Sequence, residues 1–273
     1  MHVTINDDFD LAKIANSGQC FRARKFNDGT YRFITLGHIC YIRQISHNTY
    51  NVSCSAQLWD DTWKTYFDLG RNYKKIRAKI PDEDAFLRSA SKEGCGIRIL
   101  KQDAWETLLT FITSQRKTIP AIQKSVELLC KYWGTLIKTS YETVYVFPTP
   151  AQMQCATLEQ LKECKLGYRS TYIQNAVQAV CTGSLNLKTL CNLDDADLAC
   201  ALKNVKGVGN KVANCISLFA YGRTGLAPVD TWIQKIIDMH YGGRNHFLDY
   251  GSVAGIMQQY AFWWAQTHKD EFK

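Results

Sequence analysis

Nothing in this chain is long and apolar enough to cross a bilayer; no apolar run approaches the roughly 20 residues that a spanning helix needs. Its start, MHVTINDDFDLAKIANSGQC, also lacks the apolar core of a secretory signal. Both absences speak against a membrane partner and against export. An intracellular protein is expected, in the cytoplasm or nucleoid of a prokaryote or the nucleus of a eukaryote. The eleven cysteines form no C-x-x-C, are odd in number and have no histidine beside them at zinc spacing. That pattern disfavours a disulfide framework or a zinc centre and leaves reduced thiols. Proline is scarce, five in 273 residues, and no low-complexity tract or internal repeat is visible, so a solenoid is excluded. No nucleotide-cofactor motif and no cluster of metal ligands occurs, so neither cofactor nor metal is expected.

What is present describes a compact globular protein, 46% apolar and 12% aromatic. The length suits two packed units sharing a groove. An excess of 33 basic over 25 acidic residues, +8 in all, fits a polyanionic partner without identifying nucleic acid. Residues 1–80 read as a β domain. Tyr31 to Leu36 and His38 to Ile45 are rich in β-branched and aromatic residues, with Asn27-Asp28-Gly29 and Gly37 as breaks, and Tyr50 to Cys54 is a third strand. Residues 81–273 are dominated by helical runs, at about 82–92, 103–114, 119–133, 157–163, 169–181, 195–204, 210–221, 231–239 and 251–267. An antiparallel sheet followed by a helical bundle is an α+β arrangement.

The chain is organised around Leu202 to Asp230, LKNVKGVGNKVANCISLFAYGRTGLAPVD. A helical run opens with Asp194, Asp195 and Asp197, the acidic bias that helix N-termini favour. Val205-Lys206-Gly207-Val208-Gly209 then suits a tight hairpin whose two glycines take backbone angles closed to other residues. A second helix follows from Asn210. A helix–hairpin–helix over 195–221 presents backbone N–H groups to a DNA phosphate. Lys211 stands in the first turn of that second helix. There the dipole opposes its charge, and partial burial would too, so that more free amine, the form that attacks carbon, is expected. Asp230 lies nineteen residues on, before the helical run Thr231 to Met239. Taken singly, Lys211 is one basic residue among many and Asp230 an ordinary N-cap.

Together, behind a G-V-G hairpin, Lys211 and Asp230 resemble the catalytic pair of the helix-hairpin-helix DNA glycosylases. GVGNKVANC and PVDTW resemble the 8-oxoguanine DNA glycosylase branch of that superfamily. The resemblance implies an N-terminal antiparallel sheet domain packed on a two-lobed, mainly helical domain, with the active site between the lobes. It implies a monomer that acts on double-stranded DNA containing 8-oxoguanine. A monovalent cation held by the hairpin backbone is a further family trait that sequence does not reveal.

Other motifs extend the likeness. Ser17-Gly18-Gln19-Cys20-Phe21-Arg22 resembles the S-G-Q-x-F-R signature, in which the glycine carbonyl meets N7 of the flipped base. In 8-oxoguanine N7 carries a proton; in guanine it is an acceptor. An unpaired buried carbonyl costs about 1–3 kcal/mol, enough to tell the two apart. Ser114-Gln115-Arg116-Lys117 occupies the place of the loop that fills the hole left by the extruded nucleotide, with Gln115 or Arg116 as the filler. Leu166-Gly167-Tyr168-Arg169 matches L-G-Y-R, where the tyrosine wedges beside the orphaned base and the arginine donates to it. Cys215, one turn beyond Lys211, matches the cysteine that packs on one face of the damaged base, and Gln266 the glutamine that reads its Watson–Crick edge. The aromatic that closes the other face is missing, because position 270 is aspartate; Phe272 or Trp263 are the substitutes on offer. Trp232 stands where many members have a phosphate-binding histidine, and Ala121 where a second cytosine-reading arginine would fall.

The reading is therefore a base-excision repair enzyme, a bifunctional 8-oxoguanine glycosylase and AP lyase working through a Lys211 Schiff base. A glycosylase for another oxidised or alkylated base, or a non-catalytic helix-hairpin-helix DNA-binding module, is the alternative.

Overall fold

The computed structural model describes residues 1–272. In chain order the elements are β1 (His2–Thr4), α1 (Leu11–Asn16), β2 (Arg24–Lys25), β3 (Tyr31–Thr35), β4 (His38–Gln44) and β5 (Thr49–Val52). A helical segment of short pieces comes next, α2 (Ala56–Leu58), a π turn (Trp59–Trp63) and α3 (Lys64–Tyr66), then α4 (Tyr73–Arg77), α5 (Ala85–Glu93), α6 (Ala104–Ser114) and α7 (Ile119–Trp133). A small hairpin of β6 (Leu136–Lys138) and β7 (Thr143–Tyr145) precedes α8 (Pro150–Met153), α9 (Leu158–Glu163), α10 (Arg169–Cys181), α11 (Asp195–Lys203), α12 (Asn210–Phe219), α13 (Thr231–Tyr241) and α14 (Ala254–Thr267). The fold is α+β, as the sequence implies. Among the described residues no helix is long and apolar enough to cross a membrane.

Two compact units divide the chain. The first joins Met1–Arg32 and Cys40–Lys101 to Gly222–Lys273; the second comprises Phe33–Ile39 and Gln102–Tyr221. The five-stranded sheet has the order β1-β5-β4-β3-β2 and is antiparallel at each described pairing. The tip between β3 and β4 groups with the helices of the second unit, where Ile34 packs with Val144 and Val146.

Arg98 is the polar hub of the first unit. Its side chain is 0% exposed, pairs with Asp7 at 3.0 Å, and donates to the carbonyls of Phe67 (2.9 Å), Asp8 (2.9 Å) and Arg71 (2.8 Å). A buried guanidinium is tolerable only when its donors are met in this way. Burial works to raise the Asp7 carboxyl, but the N–H groups of Tyr73, Asp8 and Lys74, with Arg98, hold it below its ordinary value.

One long helix starts later than its pattern suggests. The sequence predicts a helix over 251–267, but Gly251 takes φ 54 and ψ −123, which breaks the run, and α14 begins at Ala254. The three-residue strands β1, β6 and β7 also lie outside the sequence reading.

Candidate active site

In the second unit the helix–hairpin–helix forms as its sequence dictates. Asp194 caps α11 by accepting from Asp197 N–H at 2.8 Å. The turn closes when Val208 N–H donates to the Val205 carbonyl at 3.0 Å. Gly207 has φ +91, and a β-carbon there would meet the Tyr172 ring at 2.4 Å. Gly209 differs from the expectation made for it. Its φ is −94 and a β-carbon would meet nothing within 4 Å, so any residue fits its backbone. Its role is to cap α12 without a side chain, which leaves the helix N-terminus uncovered. Gly207→Ala should therefore destabilise the protein by about 1–3 kcal/mol, and Gly209→Ala by less than about 1 kcal/mol. Denaturant midpoints of the two variants check this; equal losses would show that Tyr172 yields.

Around the hairpin the structure gathers Gln115, Arg116, Tyr168 and Arg169. Gln115 ends α6 and turns inward, donating to the Gly207 carbonyl at 2.9 Å and to Ile112 at 3.2 Å. Arg169 is 7% exposed and donates through both Nε, at 2.8 Å, and Nη2 to the Gln115 carbonyl, and to Leu166 at 3.2 Å. Its guanidinium also lies 4.4 Å from the Tyr168 ring centroid. Tyr168 is 52% exposed and meets Tyr172 edge-on at 5.7 Å. Arg116 is exposed at φ +52, an uncommon conformation for a non-glycine residue and one that gathers at working sites. Lys117 is pinned to Ser125 and to the Lys165 carbonyl, each at 2.6 Å. Val205 and Gly207 carbonyls each accept a hydrogen bond already, but a carbonyl has two lone pairs, so hairpin oxygens remain compatible with a monovalent cation.

Lys211 and Cys215 lie one turn apart on α12. Lys211 is exposed, which corrects the expectation of partial burial. Its Nζ stands 5.6 Å from the ring of Phe111, itself stacked on Phe219 at 5.5 Å. Cys215 is 3% exposed. One helical face thus runs in a single turn from a solvent-reaching amine to a buried thiol. Phe111 carries no motif and escaped the sequence reading.

The first unit holds Gly18, Asp230 and Gln266. Asp230 caps α13, with Oδ1 accepting from Trp232 N–H at 3.0 Å and Ile233 N–H at 2.9 Å. Trp232 meets Phe272 edge-on at 5.5 Å, and Lys235 Nζ lies 5.4 Å and 5.7 Å from these two rings. Phe272, of the two candidate aromatics, is thereby fixed against the first turn of the Asp230 helix. Trp232 supports it from the first turn of α13. Gln266 is half-buried in the last turn of α14, and Trp263 lies on the same helix.

Gly18 has φ +74 and is held from both sides. Gln19 donates to the Arg98 carbonyl at 2.8 Å and accepts from Leu100 N–H at 2.7 Å, while Gln259 donates to the Ser17 carbonyl at 2.6 Å. Gln258, the preceding residue of α14, donates to the Pro228 carbonyl at 2.7 Å, two residues before Asp230. Two adjacent buried glutamines therefore fix the backbone beside Gly18 and beside Asp230. Sequence reasoning missed both; the signal was a polar pair inside the apolar run AGIMQQYAFWW. Gln259→Leu leaves the Ser17 carbonyl unpaired and should cost about 1–3 kcal/mol. Should Gly18 read the damaged base, the variant also loses selectivity for 8-oxoguanine over guanine, which competition binding checks. Undiminished selectivity would show that the loop needs no tether.

Comparison with known proteins decides the family. Residues 2–108 match the model of the 8-oxoguanine DNA glycosylase N-terminal domain, and residues 109–249 that of HhH-GPD superfamily base excision DNA repair proteins. This chain belongs to the 8-oxoguanine DNA glycosylase branch of the HhH-GPD superfamily. It is 32% identical, over 66% of its length, to the N-glycosylase/DNA lyase of Saccharomyces cerevisiae, and spans 52% of that relative. A solved structure described as MBOgg1 with a low-affinity DNA ligand matches with a TM-score of 0.94 and 33% identity, covering 98% of this chain and 96% of that one. The 8-oxoguanine glycosylase/lyase of Clostridium acetobutylicum, in complex with double-stranded DNA containing cytosine opposite 8-oxoguanine, matches with a TM-score of 0.91 and 30% identity, covering 98% of each chain.

Proposed function

We propose that this intracellular protein excises 8-oxoguanine from duplex DNA and then cuts the abasic site as a β-lyase. The observation that carries the reading is Lys211, an exposed amine in the first turn of α12, directly behind a hairpin whose Gly207 has φ +91. A DNA-binding module needs the hairpin but no such amine. The names of the yeast and Clostridium relatives support the same chemistry, and that of the Clostridium relative the same lesion.

In this mechanism binding extrudes the lesion. Arg116, exposed in its left-handed turn, enters the gap, since Gln115 is tied to the hairpin; Tyr168 wedges beside the orphaned base. The Gly18 carbonyl accepts the N7 proton that only the damaged base carries. Cys215 and Phe272 pack on the two faces of the base, and Gln266 reads its edge. Lys211, as free amine, attacks the sugar C1′ while Asp230 stabilises the positive charge that develops there. Base departure leaves a Schiff base, and β-elimination cuts the strand on the 3′ side. Borohydride added to enzyme and 8-oxoguanine duplex should give a covalent complex, and none with undamaged duplex. Tight binding with no trapped complex would reduce the protein to a non-catalytic module.

Selectivity for the opposite base should be weak. A cytosine edge has acceptors at O2 and N3 that suit two arginines, and this chain offers Arg169, whose donors already hold Gln115, with Ala121 in the other place. One lost base contact removes about 1–3 kcal/mol of discrimination. Single-turnover excision opposite cytosine should only modestly exceed that opposite thymine, guanine or adenine. A cytosine preference above about a hundred-fold would assign the missing contact to Arg116 or Lys117.

A further inference from the structure

Cys40 and Cys54 take no part in the site described above. β4 and β5 pair in the register Ile42↔Val52 and Arg43↔Asn51, and Ser53 N–H carries it one step on by donating to the Tyr41 carbonyl at 3.0 Å. Continued two residues past the end of β5, the same register sets Cys40 opposite Cys54. Ser53 N–H bonds the Tyr41 carbonyl while Tyr41 N–H donates to Ser53 Oγ at 2.9 Å, and Ile45 N–H bonds the Thr49 carbonyl at 2.9 Å, so Ile42–Val52 is a pair without ladder bonds and Cys40–Cys54 shares its parity. At such pairs the side chains lie nearest, with α-carbons about 4.5 Å apart, inside the range a disulfide accepts. The two thiols are not equally reachable. Cys40 is 0% exposed, on the same strand face as fully buried Ile42, whereas Cys54 is half-buried between exposed Ser53 and Ser55.

We propose that Cys40 and Cys54 form a peroxide-responsive dithiol site in which Cys54 attacks and Cys40 resolves. The Cys54 thiolate attacks one oxygen of hydrogen peroxide; the O–O bond breaks, hydroxide leaves, and the sulfur, oxidised by two electrons, becomes a sulfenic acid. The Cys40 sulfur then gives up its proton and displaces the sulfenic oxygen as water, forming the S–S bond. Two thiols and one peroxide thus give one disulfide and two waters. Burial and access assign these roles: contact between the two thiols brings Cys54, the reachable one, down to about 7, while the same contact and then burial push the Cys40 thiol well up. Thiolate character and access together select the first sulfur to be oxidised.

The full chain is exposed to a slight excess of hydrogen peroxide at neutral pH, remaining thiols are alkylated after unfolding, and peptides are mapped by mass. A Cys40–Cys54 cross-linked peptide pair, lighter by two hydrogens and restored by dithiothreitol, is expected. It should form about tenfold faster than exposed Cys155, Cys191 and Cys200 react. Cys40→Ser, or Cys40→Ala where the core rejects a hydroxyl, should leave a sulfenic acid on Cys54 that dimedone captures. Cys54→Ser should leave Cys40 unmodified. The proposal fails if Cys54 reacts no faster than the three exposed thiols, or if the wild type keeps a sulfenic acid on Cys54 while Cys40 is still alkylated.

Discussion

Glutamine in place of Lys211 should abolish the borohydride-trapped complex on 8-oxoguanine duplex while leaving duplex affinity and melting temperature nearly unchanged. The side chain is exposed, so its replacement opens no cavity. Its contact with the Phe111 ring, at 5.6 Å, is worth about 0.5–1 kcal/mol at an exposed site. The proposed chemistry, in contrast, depends on it wholly, since an amide has no lone pair fit to form a Schiff base. Base excision should fall with the trapping, because only water remains to attack C1′. Strand cutting at a preformed abasic site should vanish too. A complex still trapped in Lys211→Gln would place the nucleophile on another amine, and loss of DNA affinity in step with activity would make Lys211 a phosphate contact.

The part of this chemistry that was legible in the sequence is local. α7 and α10 begin and end at Ile119–Trp133 and Arg169–Cys181, the bounds that their helical pattern predicts. β3 and β4 read equally well, being rich in β-branched and aromatic residues around Gly37. The hairpin is legible, and Lys211 stands out as a candidate beside it, because one short segment contains both. What could not be read depends on partners far along the chain. Gln258 and Gln259 look like surface residues until their acceptors are known, Pro228 thirty residues away and Ser17 on the other side of the sequence. That Gln115 turns inward to the Gly207 carbonyl, 92 residues on, is equally invisible in the sequence, and so is the exposure of Lys211. Gly209 misled for another reason: a glycine is compatible with any backbone angle, so its presence at a cap looks the same as its presence in a strained turn.

Asp230→Asn should slow release of 8-oxoguanine by about 10²–10³-fold, the scale of one lost preorganised charge contact at a reacting centre. The fold should barely notice. Both capping bonds, from Trp232 and Ile233 N–H, end on Oδ1, and an asparagine oxygen accepts them almost as well. The amide NH2 then replaces Oδ2 and points a donor where a carboxylate would face a developing cation, which reverses the local electrostatics without moving the backbone. Asp230→Ala separates the two roles from the other side, because it loses the cap as well and should cost about 0.5–2 kcal/mol of stability. The substrate provides the second separation. A preformed abasic duplex has no base to release, so strand cutting there should be slowed by Asp230→Asn far less than excision from the 8-oxoguanine duplex. Single-turnover rates on the two duplexes, taken beside melting curves of both variants, decide the matter: equal slowing on both substrates, or a melting loss for Asn as large as for Ala, would return Asp230 to the rank of an ordinary helix cap.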